Sequence, residues 1–262
     1  MRHAKFALTF MMLLMAFAIS AQDATQQQNS IEQNQVADLK RQFPAEQISL
    51  LSAQDAEILT LQLENMTSYT KGTAILVPDA GEHVASPKNI NNLRQQLTDY
   101  GWHTIALMPP ALPVELTDDS MSDYQQRLLL RLQAGLQQAS NNPGATIIIA
   151  QGSSAALINK LFASAQLTEP SAFIMLGAYL PSIELNAQIA KALASHQVPT
   201  LDISQTADNH LVTAKLRQRQ KLVNKYLKAV YRQRIIPGSG YNAETQQWVF
   251  NEIYGWLTSV GL

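Results

Sequence analysis

The sequence contains no cysteine and only five histidines in 262 residues. The absence of cysteine excludes disulfide bonds, thiolate metal sites and a cysteine nucleophile, so the fold must be stabilised by burial of a hydrophobic core. The formal net charge is -1, which provides no overall positive field to attract a polyanion. Nucleic acid is therefore not expected as a partner.

Long apolar runs are confined to the N-terminus, where residues 6–20 follow the cations Arg2 and Lys5. This order, with the small residues Ser20 and Ala21 after it, is typical of a secretory signal peptide. The run is short for a membrane span, and an uncleaved anchor helix is the alternative. Without cysteine at the cleavage site, a lipid anchor of the bacterial lipoprotein kind is excluded. We predict a bacterial protein located in the periplasm or secreted.

The segment after the signal peptide is polar. Residues 22–35 are rich in Gln and Asn, and this composition predicts a flexible leader. A weak helix is predicted over residues 30–43, with Ser30 as its cap and Pro44 at its end. The remaining length is sufficient for one large domain with a buried core. The predicted division is a signal peptide at 1–21, a leader at 22–44 and a single domain at 45–262.

The rest of the chain alternates between strands and amphipathic helices. Residues 57–64 alternate between apolar and polar side chains, which predicts a half-exposed antiparallel strand at the sheet edge. Further strands are predicted at 73–77, 102–108, 145–150, 172–176, 198–204 and 231–236, with helices between them. The spacing also predicts one long helix over residues 216–230. This alternation predicts an α/β fold with a mainly parallel sheet and helices on both faces.

A β-branched run ending in small residues, at 145–155, predicts a buried strand that turns sharply into a helix. The order of elements from Gly72 to Leu262 resembles the α/β-hydrolase superfamily. More narrowly, it resembles a family of uncharacterised exported bacterial proteins with that fold. In this superfamily the turn carries a nucleophilic serine between two small residues. Only the short segment 177–182 is present where a lid is usually inserted, so no large lid is expected.

The preferred register places Gly152 where the resemblance implies the nucleophile. Glycine adopts the strained turn without a steric penalty, so the turn would be kept and the hydroxyl lost. A second register makes Ser154 the nucleophile and forces Gln151 into the strand end. A nucleophilic Ser153 would need Gln151 at a position that favours a small residue. We favour a third interpretation, in which both serines cap the helix.

The resemblance also implies a histidine base in the loop 237–242, where the sequence has Tyr241. A phenol titrates near ~10 and is a poor base at neutral pH. The histidines beyond the signal peptide are His83, His103, His196 and His210. The acid of the triad corresponds to Asp208, which we interpret instead as a helix N-cap. His210, two residues later, could replace the missing base only in an unusual arrangement.

The loop after the strand at 73–77 is the expected source of one N–H group of the oxyanion hole. Ala80 and Gly81 lie in this loop, and with Gln151 and Tyr241 they define the predicted rim around Gly152. Three side chains there could also bind a cation: Asp79, Glu82 and His83. Because one loop rarely supplies a complete metal site, we expect no metal and no other cofactor.

One segment carries many cations and no acidic residue. Its basic residues are Lys215, Arg217, Arg219, Lys221, Lys225, Lys228, Arg232 and Arg234. They could form a basic face for an anionic surface, such as membrane phospholipid or an acidic partner. The alternative, which we favour, is a solvated helix face balanced by acidic residues elsewhere.

These features leave three functional hypotheses. We favour an exported α/β-hydrolase-fold protein without the ordinary Ser-His-Asp triad, a pseudoenzyme that binds a small molecule or an envelope protein. The second hypothesis is an esterase-like acyl hydrolase that uses Ser154 or Ser153 with His210. The third is an envelope interaction protein that uses the basic segment 215–234, with the fold as its scaffold.

Overall fold

The computed structural model describes residues 30–262 except positions 55, 114 and 116. The predicted signal peptide, its cleavage site and leader residues 22–29 lie outside the described residues. No helix in the described part of the chain has both the length and the apolar character needed to cross a membrane.

Eight strands form one sheet in the described residues. They are β1 (Ile48–Ser52), β2 (Glu57–Leu63), β3 (Gly72–Val77), β4 (Trp102–Leu107), β5 (Ala145–Gln151), β6 (Ala172–Leu176), β7 (Thr200–Gln205) and β8 (Tyr231–Ile236). The spatial order is β1-β2-β4-β3-β5-β6-β7-β8. β1 and β2 run antiparallel to their neighbours, and all pairs from β4 to β8 are parallel. The predicted mainly parallel sheet is confirmed.

Helices cover both faces of this sheet. They are α1 (residues 30–42), α2 (Ile90–Gln96), α3 (Asp118–Ala139), α4 (Gly152–Ala163), α5 (Ile183–Ser195), α6 (His210–Thr213), α7 (Leu216–Lys225) and α8 (Ala243–Ser259). Short 3-10 helices occupy Ala45–Gln47 and Leu97–Tyr100. The central strand β3 is buried along its whole length, as expected for a parallel strand covered on two sides.

The edge of the sheet differs from the prediction. Residues 57–64 were expected to form the edge strand, but β1 lies outside β2, with Ile48 opposite Leu61. Leu59 and Leu61 of β2 are consequently buried. The pattern of β1 contains no regular alternation, with Leu50 exposed and Leu51 buried, so the spacing of its apolar residues did not indicate a strand.

The long helix predicted over residues 216–230 begins at the expected residue but ends five residues early. α6 ends at Thr213, α7 begins at Leu216, and α7 ends at Lys225. Leu227 then adopts φ +56°, which ends the helix before β8 begins. The basic residues of this segment therefore do not lie on one continuous helix.

The packed structure begins earlier than the predicted boundary at residue 45. The helix predicted over 30–43 is present at 30–42, and its Leu39 is buried in the core. Glu32 accepts two hydrogen bonds from Arg131 Nη2, at 2.8 and 3.0 Å, and one from the backbone N–H of Ala111. Because Arg131 is itself buried, α1 is attached to α3 through a charged contact inside the protein. Residues 30–42 thus pack as part of the domain.

Candidate functional site

The turn from β5 to α4 takes place without an intervening residue, since β5 ends at Gln151 and α4 begins at Gly152. Gly152 has φ +58°, in the left-handed region that glycine tolerates best. A Cβ atom added to Gly152 would overlap the carboxyl group of Asp79. The predicted sharp turn is present, and the space for a side chain at its centre is filled by another residue.

Asp79 reaches this position from the loop after β3. Its Oδ1 accepts hydrogen bonds from the backbone N–H groups of Ala80 and Ser153, both at 2.7 Å. Its Oδ2 accepts a longer hydrogen bond from the Tyr179 phenol, at 3.3 Å. Only 8% of Asp79 is exposed to solvent. The carboxylate is therefore held on three sides, two of them by backbone donors.

The two N–H donors lie at positions that have a defined role in the fold that the sequence resembles. One belongs to Ser153, the residue after the nucleophile position, and the other to Ala80 in the loop after β3. These are the two positions that form the oxyanion hole in α/β-hydrolases. In this protein both donors point at the carboxylate of Asp79, which takes the place that a developing oxyanion would need.

The electrostatics of Asp79 combine opposing effects. Burial raises the pKa of its carboxyl from 3.8 to about 6, and the nearby Glu82 adds to this increase. The hydrogen bonds from Ser153 and Ala80 act in the opposite direction because they stabilise the ionised form. The ionised carboxylate lies at the N-terminus of α4, where the helix dipole favours a negative charge. Asp79 is therefore mostly ionised at neutral pH.

The serines that follow the turn do not cap α4. The N-cap is Gln151, which makes no side-chain capping bond, and both Ser153 and Ser154 lie within the helix. The capping interpretation of these serines is wrong because Asp79, from a distant loop, accepts the Ser153 N–H instead. Ser154 is fully buried, and neither its hydroxyl nor the adjacent buried phenol of Tyr124 makes a well-formed hydrogen bond.

No histidine of the described chain forms a hydrogen bond with Ser153 or Ser154. His210 is exposed at the start of α6. His83 and His103 accept hydrogen bonds from the backbone N–H groups of Ala85 and Asn65. His196 is buried beside Asn159 and Lys228. The structure does not bring the two serines and His210 into a proton relay.

Asp208 does not cap α6, so this interpretation is also wrong. The cap is Asn209, which accepts a hydrogen bond from the Leu211 N–H at 2.9 Å. Asp208 instead accepts the N–H of Gln205 at 2.7 Å, closing the turn after β7. Its other oxygen lies 3.5 Å from the ammonium of Lys88. Asp208 is thus used to hold the loop after β7 against the loop that precedes α2.

Buried amide side chains fill the space between the ends of β5, β7 and the loop after β8. Gln151 donates to Glu82 at 3.0 Å, Asn89 donates to Gln151 at 3.4 Å, and Gln205 donates to Asn89 at 3.3 Å. These residues leave no space for a water molecule between them. The resemblance implies the acid and base in this region. Tyr241 is 62% exposed and does not take part in the network.

The three potential cation ligands of the loop after β3 have separate partners. Asp79 binds the backbone donors described above, whereas Glu82 accepts from Ser86 and Gln151, and His83 accepts from Ala85. No group of three or more metal-ligating side chains is present in residues 30–262 outside the undescribed positions. Sequence reasoning considered Asp79 only as a cation ligand. The missing side chain at Gly152 was the signal that another group occupies its place.

The basic segment separates into structural and exposed residues. Arg219 is fully buried and pairs with Asp202 at 3.1 Å, and Lys228 is buried against His196. Arg232 and Arg234 both pair with Glu252 of α8. The segment is therefore not a uniform basic face, and the cations that remain on α7 are a smaller set.

Comparisons with known proteins agree with this architecture. Residues 3–121 and 115–259 match the family described as "Protein of unknown function (DUF3530)". No curated protein matches the chain. Among solved structures, the chain is similar to a serine hydrolase homologue from Coxiella burnetii, with 12% identity and a TM-score of 0.61 over 80% of this chain and 97% of that one.

Two further structures show the same likeness. A soluble variant of monoglyceride lipase from Saccharomyces cerevisiae has 11% identity and a TM-score of 0.61, covering 81% of this chain and 94% of that one. Dienelactone hydrolase from Anabaena variabilis has 15% identity and a TM-score of 0.59, covering 81% and 96%. At such identities the similarity concerns the fold alone. The chain belongs to the DUF3530 family and has the α/β-hydrolase fold.

Proposed function

We propose that this protein is an exported member of the α/β-hydrolase fold that performs no Ser-His-Asp chemistry and binds a ligand or partner at its carboxyl-end rim. The observation that carries the proposal is the position of the Asp79 carboxylate. It accepts the N–H groups of Ala80 and Ser153, which an acyl-transfer reaction would need for its oxyanion.

Acyl transfer at this turn would be blocked in two ways. A tetrahedral intermediate would have to displace a buried carboxylate from both donors, and loss of a single donor already costs about 10²–10³ in kcat. Gly152 offers no hydroxyl, and a serine at this position would overlap Asp79. The fold thus keeps the backbone geometry of the site without a nucleophile at the turn.

The outer surface of the rim supports a binding role. The amide network leaves no space for a water molecule among its side chains, so we expect a ligand to contact the rim from outside. Leu112, which lies beside Gly81, is 38% exposed, and Tyr241 is 62% exposed. We propose these two side chains as contact points for the ligand or partner.

The discriminating experiment is covalent labelling with a fluorophosphonate probe, read by intact mass spectrometry. We expect no adduct on the purified protein and no turnover of p-nitrophenyl esters. The matched control is the Ser153→Ala, Ser154→Ala double variant, which removes both hydroxyls near the turn from β5 to α4.

Labelling or ester hydrolysis that this double variant abolishes would contradict the proposal and favour an acyl hydrolase that uses Ser153 or Ser154. Absence of both signals in both proteins would support the absence of Ser-His-Asp chemistry. An active serine hydrolase included in the same series confirms that the probe reacts.

A further inference from the structure

The outward face of α7 carries three cations at four-residue intervals, Arg217, Lys221 and Lys225, and all three are exposed. The opposite face is buried and consists of Leu216, Arg219 and Val223. Residues four apart lie on one side of a helix, so the three cations form a stripe that points away from the core. No acidic residue occurs between Asn209 and Ala243 to interrupt this stripe.

The charged groups of this stripe have no anionic partner in the described part of the chain. Arg217 and Lys221 make neither an ion pair nor a side-chain hydrogen bond there, and Lys225 lies 5.7 Å from the centre of the Tyr226 ring. By contrast, Arg219, Arg232 and Arg234 are paired with carboxylates. The stripe is therefore free to bind anions outside the protein.

Two apolar side chains project beside the stripe at the end of α7. Leu227 is 83% exposed and Tyr226 is 53% exposed. Leu227 has φ +56° and occupies the position where glycine usually ends a helix. The N–H of Lys228 donates to the carbonyl of Val223, and the N–H of Leu227 donates to that of Asn224, which fixes this turn. The backbone thus holds a branched apolar side chain in solvent, in a conformation that disfavours it.

We infer that the α7 patch, formed by Arg217, Lys221, Lys225, Tyr226 and Leu227, binds the surface of an anionic lipid bilayer. Cations attract the negatively charged headgroups, while a tyrosine and a projecting leucine suit the interface between headgroups and acyl chains. Charge complementarity and the apolar projection favour a bilayer over an acidic protein. No residue of the α7 patch contributes to the site around Asp79, so the two proposals are independent.

The test is co-sedimentation of the purified protein with vesicles. The full sequence is expressed, and any signal peptide is removed by the host. The vesicles are phosphatidylcholine with about one third phosphatidylglycerol, compared with phosphatidylcholine alone. We expect binding only to the anionic vesicles, and loss of that binding when the salt is raised from about 0.05 M to about 0.5 M.

Two variants separate the contribution of the three cations to binding from that of Leu227. Arg217→Gln with Lys221→Gln and Lys225→Gln is expected to weaken binding about 100-fold, at about fivefold for each charge. The matched control removes the same charges from elsewhere on the surface: Lys40→Gln, Arg41→Gln and Lys160→Gln. Leu227→Gly is expected to weaken binding about three- to tenfold while raising the melting temperature, because it relieves the strained turn.

Several results would overturn the inference. One is failure to bind anionic vesicles at low salt, including the case in which the protein binds a soluble polyanion instead. A second is equal binding to neutral vesicles. A third is an equal loss in the charge-matched control, which would indicate attraction by net charge alone. Unchanged binding of the Leu227→Gly variant would overturn the insertion of this side chain.

Discussion

Asp79 and Asp202 are both buried carboxylates, but their partners differ. Asp202 in β7 pairs with the buried guanidinium of Arg219 and also accepts hydrogen bonds from Tyr231 and Gln233. Among the described residues Asp79 contacts no cation, and it is held by two backbone N–H groups and a phenol. The first arrangement fixes α7 to the sheet, and the second occupies an anion-binding turn.

The contrast separates structural from functional use of the same side chain. A carboxylate paired with arginine inside a protein is a unit, and removing one partner leaves an uncompensated charge. A carboxylate held by a helix N-terminus can be replaced by another anion, because the donors belong to the backbone and remain. Substitutions of Asp79 and of the partners of both carboxylates test this difference.

The largest effect is expected for Arg219→Met. This change leaves the fully buried Asp202 without its cation and removes the hydrogen bond from Arg219 to the carbonyl of Ala178. We expect a loss of about 3–5 kcal/mol in the free energy of unfolding, measured by urea denaturation. The Arg219→Met, Asp202→Leu double variant should regain part of this loss, and a single variant as stable as the wild type would contradict the assigned pairing.

A smaller effect of opposite sign is expected for Asp79→Asn. The pKa of Asp79 in the folded protein, about 6, lies above its value in the unfolded chain. The ionised carboxylate therefore opposes folding, and the free energy of unfolding rises as the pH falls through 6. The amide can still accept both backbone N–H groups without a buried charge. At about pH 7.5 we expect the variant to be more stable by about 1–3 kcal/mol.

The pH dependence of this difference is the control. Thermal unfolding of the Asp79→Asn variant and the wild type should converge as the pH falls from about 7 toward about 4, because Asp79 becomes protonated in the folded protein. A variant that is less stable at neutral pH would show that the charged hydrogen bonds outweigh the cost of burial.

The smallest effect is expected for Tyr179→Phe. Its phenol donates the longest of the three hydrogen bonds to Asp79, at 3.3 Å, and is only partly buried. We expect a loss of about 0.5–1 kcal/mol in the free energy of unfolding, measured by thermal denaturation. A loss above about 2 kcal/mol would indicate that the phenol, and not the backbone, holds the carboxylate.

The sequence predicted those elements whose signals are local. β5 and the turn at Gly152 follow from a β-branched run that ends in small residues, and β6 follows from a buried apolar run. β1 was missed because its burial does not alternate. The end of α7 at Lys225 was missed because neither Gly nor Pro marks it and the apolar spacing continues past it to Val230.

Of the candidate site, only the backbone turn at Gly152 could be predicted from the sequence. The position of Gly152 could be derived from the sequence, but its contact with Asp79 joins residues more than 70 positions apart, as the Ser153 hydrogen bond to Asp79 shows. The amide network of Gln151, Asn89 and Gln205 likewise depends on three separate loops. Helix capping by Ser153 and by Asp208 was the interpretation that the local sequence favoured. In the structure, Asp79 from a distant loop accepts the Ser153 N–H, and the adjacent Asn209 caps α6 in place of Asp208.

The most direct test of the central claim is a crystal structure of the Asp79→Ala variant in the presence of formate, which restores the deleted carboxylate as a free anion. We expect formate to bind between the N–H groups of Ala80 and Ser153, in the place of the Asp79 carboxylate. If these two donors turn toward other protein groups, or if no formate binds between them at saturating concentration, then this turn is not an anion-binding site.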